Sequence, residues 1–307
     1  MRRESLLAAL GAIGLVACAW AVPWLKFVLT IALAKGIAVL GILLLLRAGQ
    51  VSFGHSMFLA LGAYTVAFLA PSAPEVLLLL PLAGLLGAGL GLVLGLFLVR
   101  YRDIFFGMLN LAFAMVMYSL LEKLYALTKG TDGIRVARLT FAGLEPDRPT
   151  QEWIMFGIAL GLAIGFGLLV RFYLASPMGR ALAGIKTRET RLEFMGVPAR
   201  RVLLAAYVLS ALMGGVGGAL IGMTTRHVTP QLAYWTSSGE LVFIAILGGA
   251  GSALGPFLGA TAFELVRVYA AAAVADAWQM ILGGVLLVVI LFAPGGIWGI
   301  LARRRQA

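Results

Sequence analysis

The stretch LKFVLTIALAKGIAVLGILLLL, residues 25–46, decides the fold class. A helix needs about 20 residues to cross a hydrocarbon core roughly 30 Å thick, and this run is that long, with Lys26 and Lys35 as its only ionisable side chains. It is followed by GQVSFGHSMF, residues 49–58, where Gln50, Ser52, His55 and Ser56 sit between and beside Gly49 and Gly54. One of the two histidines of the chain is therefore placed in a short polar patch directly after an apolar helix.

The whole chain has the same character. Its 307 residues are 62% hydrophobic and only 12% charged, with a mean hydropathy of +1.01. Soluble domains are about half apolar and a quarter charged, so the composition specifies an all-α polytopic membrane protein. The 39 glycines fit close packing of membrane helices. Apolar segments at 5–22, 25–46, 53–70, 76–99, 104–127, 153–173, 202–222, 238–250, 256–275 and 278–293 predict about ten spans. The eighth is short, which leaves eight or nine full crossings as the alternative. The basic start and small residues of 1–23 also suit a signal peptide; the length of the apolar run favours a retained first helix.

The net charge of +11 does not indicate nucleic acid, because no long soluble segment carries a basic face. Lysine and arginine instead mark the cytoplasmic loops. With both termini inside, 15 of the 24 basic residues lie on the inner side, including the most basic loop and the Arg303–Arg305 tail. Cys18 is the only cysteine, so an intrachain disulfide is excluded. His55 and His227 are the only histidines, too few to suggest a metal centre.

Two loops are long. The outer one, 128–152, is rich in turn formers and contains Thr131, Asp132 and Gly133; Asp-Gly is a turn dipeptide. The inner one, 174–201, opens with Ser176-Pro177, a helix start, and closes at Gly196 and Pro198, a helix stop. Between them Ala181, Leu182, Ile185, Leu192 and Met195 recur near helical spacing among Arg180, Lys186, Arg188, Glu189, Arg191 and Glu193. This predicts a short amphipathic helix, which either lies on lipid or docks on a protein.

Four segments, GQVSFGHSMFLALGAY (49–64), TKGTDGI (128–134), SPMGRALAGIKTRETRLEFMGVPARRVLLAAYVLSALMGGVGGAL (176–220) and ELVFIAILGGAGSALGPFLGA (240–260), resemble in order the permease subunits of branched-chain amino acid ABC importers, and more closely the second of the two permeases that pair as a heterodimer. The resemblance implies about ten helices in two inverted halves forming one transmembrane domain over 1–307. It implies a bacterial inner-membrane location and an ATP-driven importer in which the chain is not itself an enzyme. The expected partners are a second permease, two cytoplasmic ATP-binding subunits and a periplasmic solute-binding protein. The loop at 174–201 then docks the ATPase through Arg180, Ile185, Lys186, Glu189, Glu193 and Gly196. Gln50, Ser52, Gly54 and His55 become pathway or gating residues, and Thr131, Asp132 and Gly133 line the outer mouth. Lys129 stands where the family has a second glycine, and the helix before Gly49 lacks the family's asparagine.

The residues agree with this division of labour. None of the five lysines follows a glycine, so the chain has no phosphate-binding GxxxxGK[ST] loop. No cofactor is expected on this chain; ATP belongs to the partners. The cargo expected is a branched-chain amino acid, with urea, a short amide or another small carboxylate as rivals. A secondary transporter is the rival of another class and requires ionisable residues inside several spans; the main one visible is Lys35. Ser52 is alternatively the N-cap of an ordinary helix. Lys35 pairs with Glu264, or Glu264 pairs with Arg267 three residues on. The pattern shared by 52–63 and 252–260 is too faint to define the repeat.

Overall fold

In the computed structural model, which describes residues 2–273, 277–293 and 295–303, every predicted apolar segment forms a helix. The helices are α1 (Arg2–Ala21), α2 (Leu25–Arg47), α3 (His55–Leu69), α4 (Val76–Leu98), α5 (Asp103–Lys123), α6 (Tyr125–Thr128), α7 (Arg148–Ala175), α8 (Pro177–Phe194), α9 (Ala199–Thr225), α10 (Trp235–Gly248), α11 (Gly255–Ala273), α12 (Trp278–Phe292) and α13 (Gly296–Arg303). Residues 274 and 275 of the predicted ninth span, and Arg304 and Arg305 of the basic tail, lie outside the described residues.

The many-helix, all-α architecture expected from the sequence is present. Among the described residues five helices, α2, α4, α5, α7 and α9, are long and apolar enough to cross a membrane by themselves, and shorter apolar helices accompany them. α3 has 15 residues and α10 has 14, and at about 1.5 Å per residue each falls short of a bilayer core. Each is preceded by a segment without α-helix, residues 48–54 and 226–234, in which Ala48, Gln50, Ser52, Gly54, Val228, Pro230 and Ala233 are buried. Irregular backbone survives at membrane depth only under such cover.

α2 and α9 form the centre. The described core of α2 is buried on every side from Val28 to Leu45, as expected of a helix that is apolar all round. α9 packs on α2, α3 and α4, and α2 packs on α9, α10 and α11. Four glycines make these approaches possible. A Cβ on Gly217 would lie 2.6 Å from the Ala34 carbonyl oxygen of α2, one on Gly214 would lie 2.8 Å from Phe58 Cβ of α3, one on Gly215 would strike the Ala83 carbonyl of α4, and one on Gly218 would overlap the Leu59 carbonyl of α3. Small residues at such crossings let backbones meet, which is how helices associate where no hydrophobic driving force separates them from lipid.

The chain repeats an arrangement: a long central helix, a short helix, then a partner that packs on the short one. α2–α3–α4 and α9–α10–α11 follow this order, with α3 on α4 and α10 on α11. The two copies run in opposite directions. Lys26, at the start of α2, is 3.8 Å from Glu152 of α7, and Arg226, just past the end of α9, bonds Gln151 of α7. The start of α2 and the end of α9 therefore share one face. This order and polarity suit two inverted halves, with α3 answering to α10. The faint pattern linking 52–63 with 252–260 instead matches α3 to the start of α11, so it is not the signature of the repeat.

Contacts between loops define two faces. On one, β1 (Ile134–Arg135) pairs antiparallel with β2 (His227–Val228), and Glu75 accepts from the Ala142 and Gly143 amides. On the other, Arg47 donates to the Gly251 carbonyl and Arg102 pairs with Glu189 of α8.

Candidate functional site

Residues 48–54 turn the chain from α2 into α3 beneath the bundle. Gly49 has φ +78°, a conformation that favours glycine. Gln50 is buried, and its Oε1 accepts from the Asp103 amide at 2.8 Å, fixing the turn to the start of α5. Ser52 is not the N-cap of α3; that position is Gly54. The Ser52 hydroxyl instead lies 2.9 Å from His55 Nδ1 and accepts from the Gly54 amide. His55 is 0% exposed, and its Nε2 bonds Ser210 of α9. The neighbouring Ser56 donates to the Ala233 carbonyl at 2.9 Å and accepts from Ser238 of α10 at 2.7 Å. The first turn of α3 is thereby held by α9 and α10 through side chains. Close by, the Tyr207 hydroxyl donates to Asn110 Oδ1 at 2.5 Å, and the Tyr207 ring meets Phe58 and Phe106 edge-on. Every polar group named here has a partner, as low-dielectric surroundings require.

α8 lies on the same face as this turn. Ser176 caps it by accepting from the Gly179 amide, and Pro177 opens its first turn. Gly179, Ala181, Leu182 and Ile185 are buried, so the first half is seated on the bundle, with α7 and α9 as its main neighbours. The single amphipathic helix expected over this stretch is broken. Arg188 has extended backbone, φ −156° and ψ 92°, and the chain resumes helix in a new direction. Just past the break Glu189 takes a bidentate bond from Arg102, 2.6 and 2.8 Å; Arg102 also donates to the Tyr101 carbonyl. The planar guanidinium fork matches a carboxylate in this way. Beyond it, Phe194 and Met195 are 89% and 72% exposed, and Gly196, φ +78°, ends the element. Arg180 donates to the Ala175 carbonyl, and Lys186 and Glu193 are exposed.

Thr131, Asp132 and Gly133 lie on the opposite face. Residues 130–132 form one turn of 3-10 helix, with Thr131 exposed. Asp132 accepts from the Tyr125 hydroxyl at 2.7 Å, which raises the Tyr125 pKa above its usual value. Gly133, φ +70°, is packed so that a Cβ would come 2.6 Å from the Val228 carbonyl oxygen.

A fourth group lies within the helices. Lys35 Nζ is 2.6 Å from Glu264 Oε1 of α11 and 2.9 Å from Glu240 Oε2 of α10. Arg267 stands 3.7 Å from Glu264 and 3.9 Å from Glu240. Both pairings considered for Glu264 are thus present at once, and the expectation that Lys35 is the main ionisable group within the spans is corrected to a neutral cluster of two cations and two carboxylates. Burying charge costs several kcal/mol unless it is paired, and this balance meets that condition.

Residues 24–291 match the family described as branched-chain amino acid transport system / permease component. The chain belongs to that family. It is 28% identical over 275 residues to the high-affinity branched-chain amino acid transport system permease protein LivM of Salmonella typhimurium, covering 81% of this chain and 64% of the relative. The LivM protein of Escherichia coli K12 is 27% identical over the same shares. The permease protein LivH of Escherichia coli K12 is 24% identical over 148 residues, 48% of this chain and 46% of the relative. The match thus spans under two thirds of the length of these curated relatives. No solved structure matches the chain.

Within this family member the structure brings two of the predicted residue sets together: Gln50 and the α8 residues Ile185, Lys186 and Glu189 border one cavity. It keeps the third, Thr131 to Gly133, on the far face. Sequence reasoning missed Arg102, Asp103, Ser210 and Glu240 as partners. Glu240 was visible as a charge near the start of a span. The others carry no local signal, since their roles depend on contacts with residues 53 to 155 positions away.

Proposed function

We propose that the chain is a permease subunit of an ATP-driven importer in the bacterial inner membrane, passing branched-chain amino acids as zwitterions from a periplasmic binding protein to the cytoplasm. It pairs with a second permease and with two cytoplasmic ATP-binding subunits. The observation that carries this reading is α8. Its first half is seated on the bundle, its second half is braced by Arg102–Glu189, and its tip presents Phe194 and Met195 to solvent. An exposed apolar pair on a rigid helix end suits insertion into a groove of a partner.

The α8 face also carries Arg47, Arg100, Arg102, Arg180, Lys186, Arg188, Arg191, Arg200 and Arg201, which supports a cytoplasmic orientation for it and for both termini. Closure of the ATPase dimer then moves α8, and α8 moves the bundle about its inverted repeat. Permeases that move as rigid bodies need inter-helix contacts that do not slip; the glycine-mediated packing of α9 and the His55–Ser210 bond supply them.

A second reading rests on the Lys35–Glu240–Glu264–Arg267 cluster, since ionisable groups on three helices also suit an ion-coupled transporter. The two are separated by co-purifying the chain with candidate ATPases and replacing Phe194 and Met195 by alanine. The importer reading expects reduced ATPase association and reduced ATP-dependent uptake; unchanged association with unchanged uptake rejects it. Competing leucine uptake with isoleucine, valine and urea assigns the cargo.

A further inference from the structure

Where α8 folds back on the bundle there is a cavity of about 330 Å³. Its walls come from three places: Gln50 in the turn after α2, Arg102 and Asp103 at the start of α5, and Ile185, Lys186 and Glu189 on α8. Two of its wall residues are held in the left-handed region, Gly49 (φ +78°) and Asp103 (φ +53°). Left-handed backbone at a residue other than glycine costs about 1 kcal/mol or more and persists only when its surroundings impose it. Here the Gln50 side chain fixes the Asp103 amide. At Gly49 any Cβ would press to within 3.1 Å of the Lys186 side chain, so glycine leaves room for the lysine stem along the wall.

The charges in this cavity are mixed. Arg102 and Glu189 engage each other. The Asp103 carboxylate and the Lys186 ammonium make no side-chain hydrogen bond among the described residues, and both border the space. A ligand of one sign would meet a like charge. A ligand carrying both signs can set each end against its opposite; Asp103 and Lys186 are exposed at the cavity, while Ile185 and Ala48 lie behind its wall, almost wholly buried. The volume lies at the lower end of the range for small-molecule sites, about 300–1,000 Å³, which suits an amino acid and not a nucleotide.

We propose that this cavity is a product-side binding site for a free zwitterionic amino acid, with its ammonium at Asp103 and its carboxylate at Lys186. The inference rests on the importer reading for its consequence. Because one wall is α8 and the others are bundle, an occupant bridges the two and holds α8 in the position seen here. A ligand that binds one arrangement better than another shifts the equilibrium toward it, so accumulated cargo on the cytoplasmic side slows further uptake.

The test uses the assembled complex in proteoliposomes with ATP inside and binding protein outside. Initial uptake and ATP hydrolysis are measured with increasing L-leucine, isovalerate or isopentylamine sealed within. L-leucine is expected to inhibit and the two half-ligands are not. Asp103→Asn keeps a residue that accepts left-handed backbone and removes the charge; normalised to its own uptake with an empty interior, it is expected to need about ten times more internal leucine for half inhibition, the factor for one lost charged contact of about 1.4 kcal/mol. Inhibition unchanged in Asp103→Asn, no inhibition by leucine, or equal inhibition by isovalerate overturns the proposal. Loss of ATPase association in Asp103→Asn also overturns it, by assigning the cavity to the partner. If the wild-type complex shows no ATP-dependent uptake, the importer reading fails; leucine titrated calorimetrically into the complex and its Asp103→Asn variant then decides the site alone, with equal or absent binding in both counting against it.

Discussion

Lys35 of α2 and Glu264 of α11 meet at 2.6 Å inside the bundle, and both residues are under a tenth exposed. With Glu240 and Arg267 they join three helices from the two halves of the chain. Removing one partner of a buried pair leaves an uncompensated charge and costs about 3–5 kcal/mol. Lys35→Met and Glu264→Gln are each expected to lower unfolding stability in mild detergent by amounts of that order. The double variant is expected to lose less than the sum, with a coupling of about 0.5–3 kcal/mol. Additive losses would show that the two residues act independently.

Helix packing gives a sharper contrast. A Cβ at Gly62 would overlap the Gly215 carbonyl, and one at Gly218 the Leu59 carbonyl, whereas Gly157, Gly161 and Gly165 face open space. Gly62→Ala and Gly218→Ala are expected to destabilise by about 1–3 kcal/mol or more, because rigid backbone must move. Alanine at Gly157, Gly161 or Gly165 is expected to be neutral or to stabilise by up to about 1 kcal/mol. Thermal unfolding of the five variants checks the ordering.

The Arg102–Glu189 pair is partly exposed, 21% and 30% at the side chains, so its direct contribution to global stability is about 1 kcal/mol or less. Its effect is local. Amide exchange in residues 189–195 is expected to speed up in Arg102→Ala, and Arg102→Lys is not expected to restore it, since lysine cannot reproduce the bidentate fork. Restoration by lysine would reduce the pair to simple charge attraction.

Glu75 offers a pH test on the opposite face. Amides of Ala142 and Gly143 hold its carboxyl below its ordinary pKa of 4.5. A group with a depressed folded-state pKa stabilises fully above its unfolded value, and this contribution is lost as pH falls through the folded value. Protection of the Ala142 and Gly143 amides is therefore expected to persist at neutral pH and to fall below about pH 4.5, after correction for intrinsic exchange. In Glu75→Gln it is expected to be low throughout. Protection independent of both pH and the substitution would contradict the assignment.

Much of the architecture was readable because its cause is local. Runs such as Leu25 to Leu46 are apolar for long enough to be nothing but membrane helices, and Ser176-Pro177 and Gly196 delimit α8 by backbone chemistry alone. The four glycines near residue 215 announced a close crossing, although not which helices would use it. The break at Arg188 was hidden, since arginine favours helix and only the seating of Ile185 with the Arg102–Glu189 bond redirects the chain. The His55 patch was legible as polar and interior, but Ser210, its partner 155 positions away, looks like any small residue in an apolar helix. Glu240 was read as the edge of a short span because α10 begins at Trp235, three residues before the predicted segment 238–250. Its charge becomes meaningful only when Lys35 and Glu264 are brought beside it.

In the function proposed, the chain carries solute only as part of an ATP-driven assembly engaged through α8. Its most direct test is initial leucine uptake by proteoliposomes holding the chain, its partner permease and the ATP-binding subunits, with binding protein outside, compared with vesicles holding the chain alone. Uptake is expected to require both internal ATP and the intact Phe194–Met195 tip of α8. Leucine transport by the chain alone, indifferent to ATP, would contradict it.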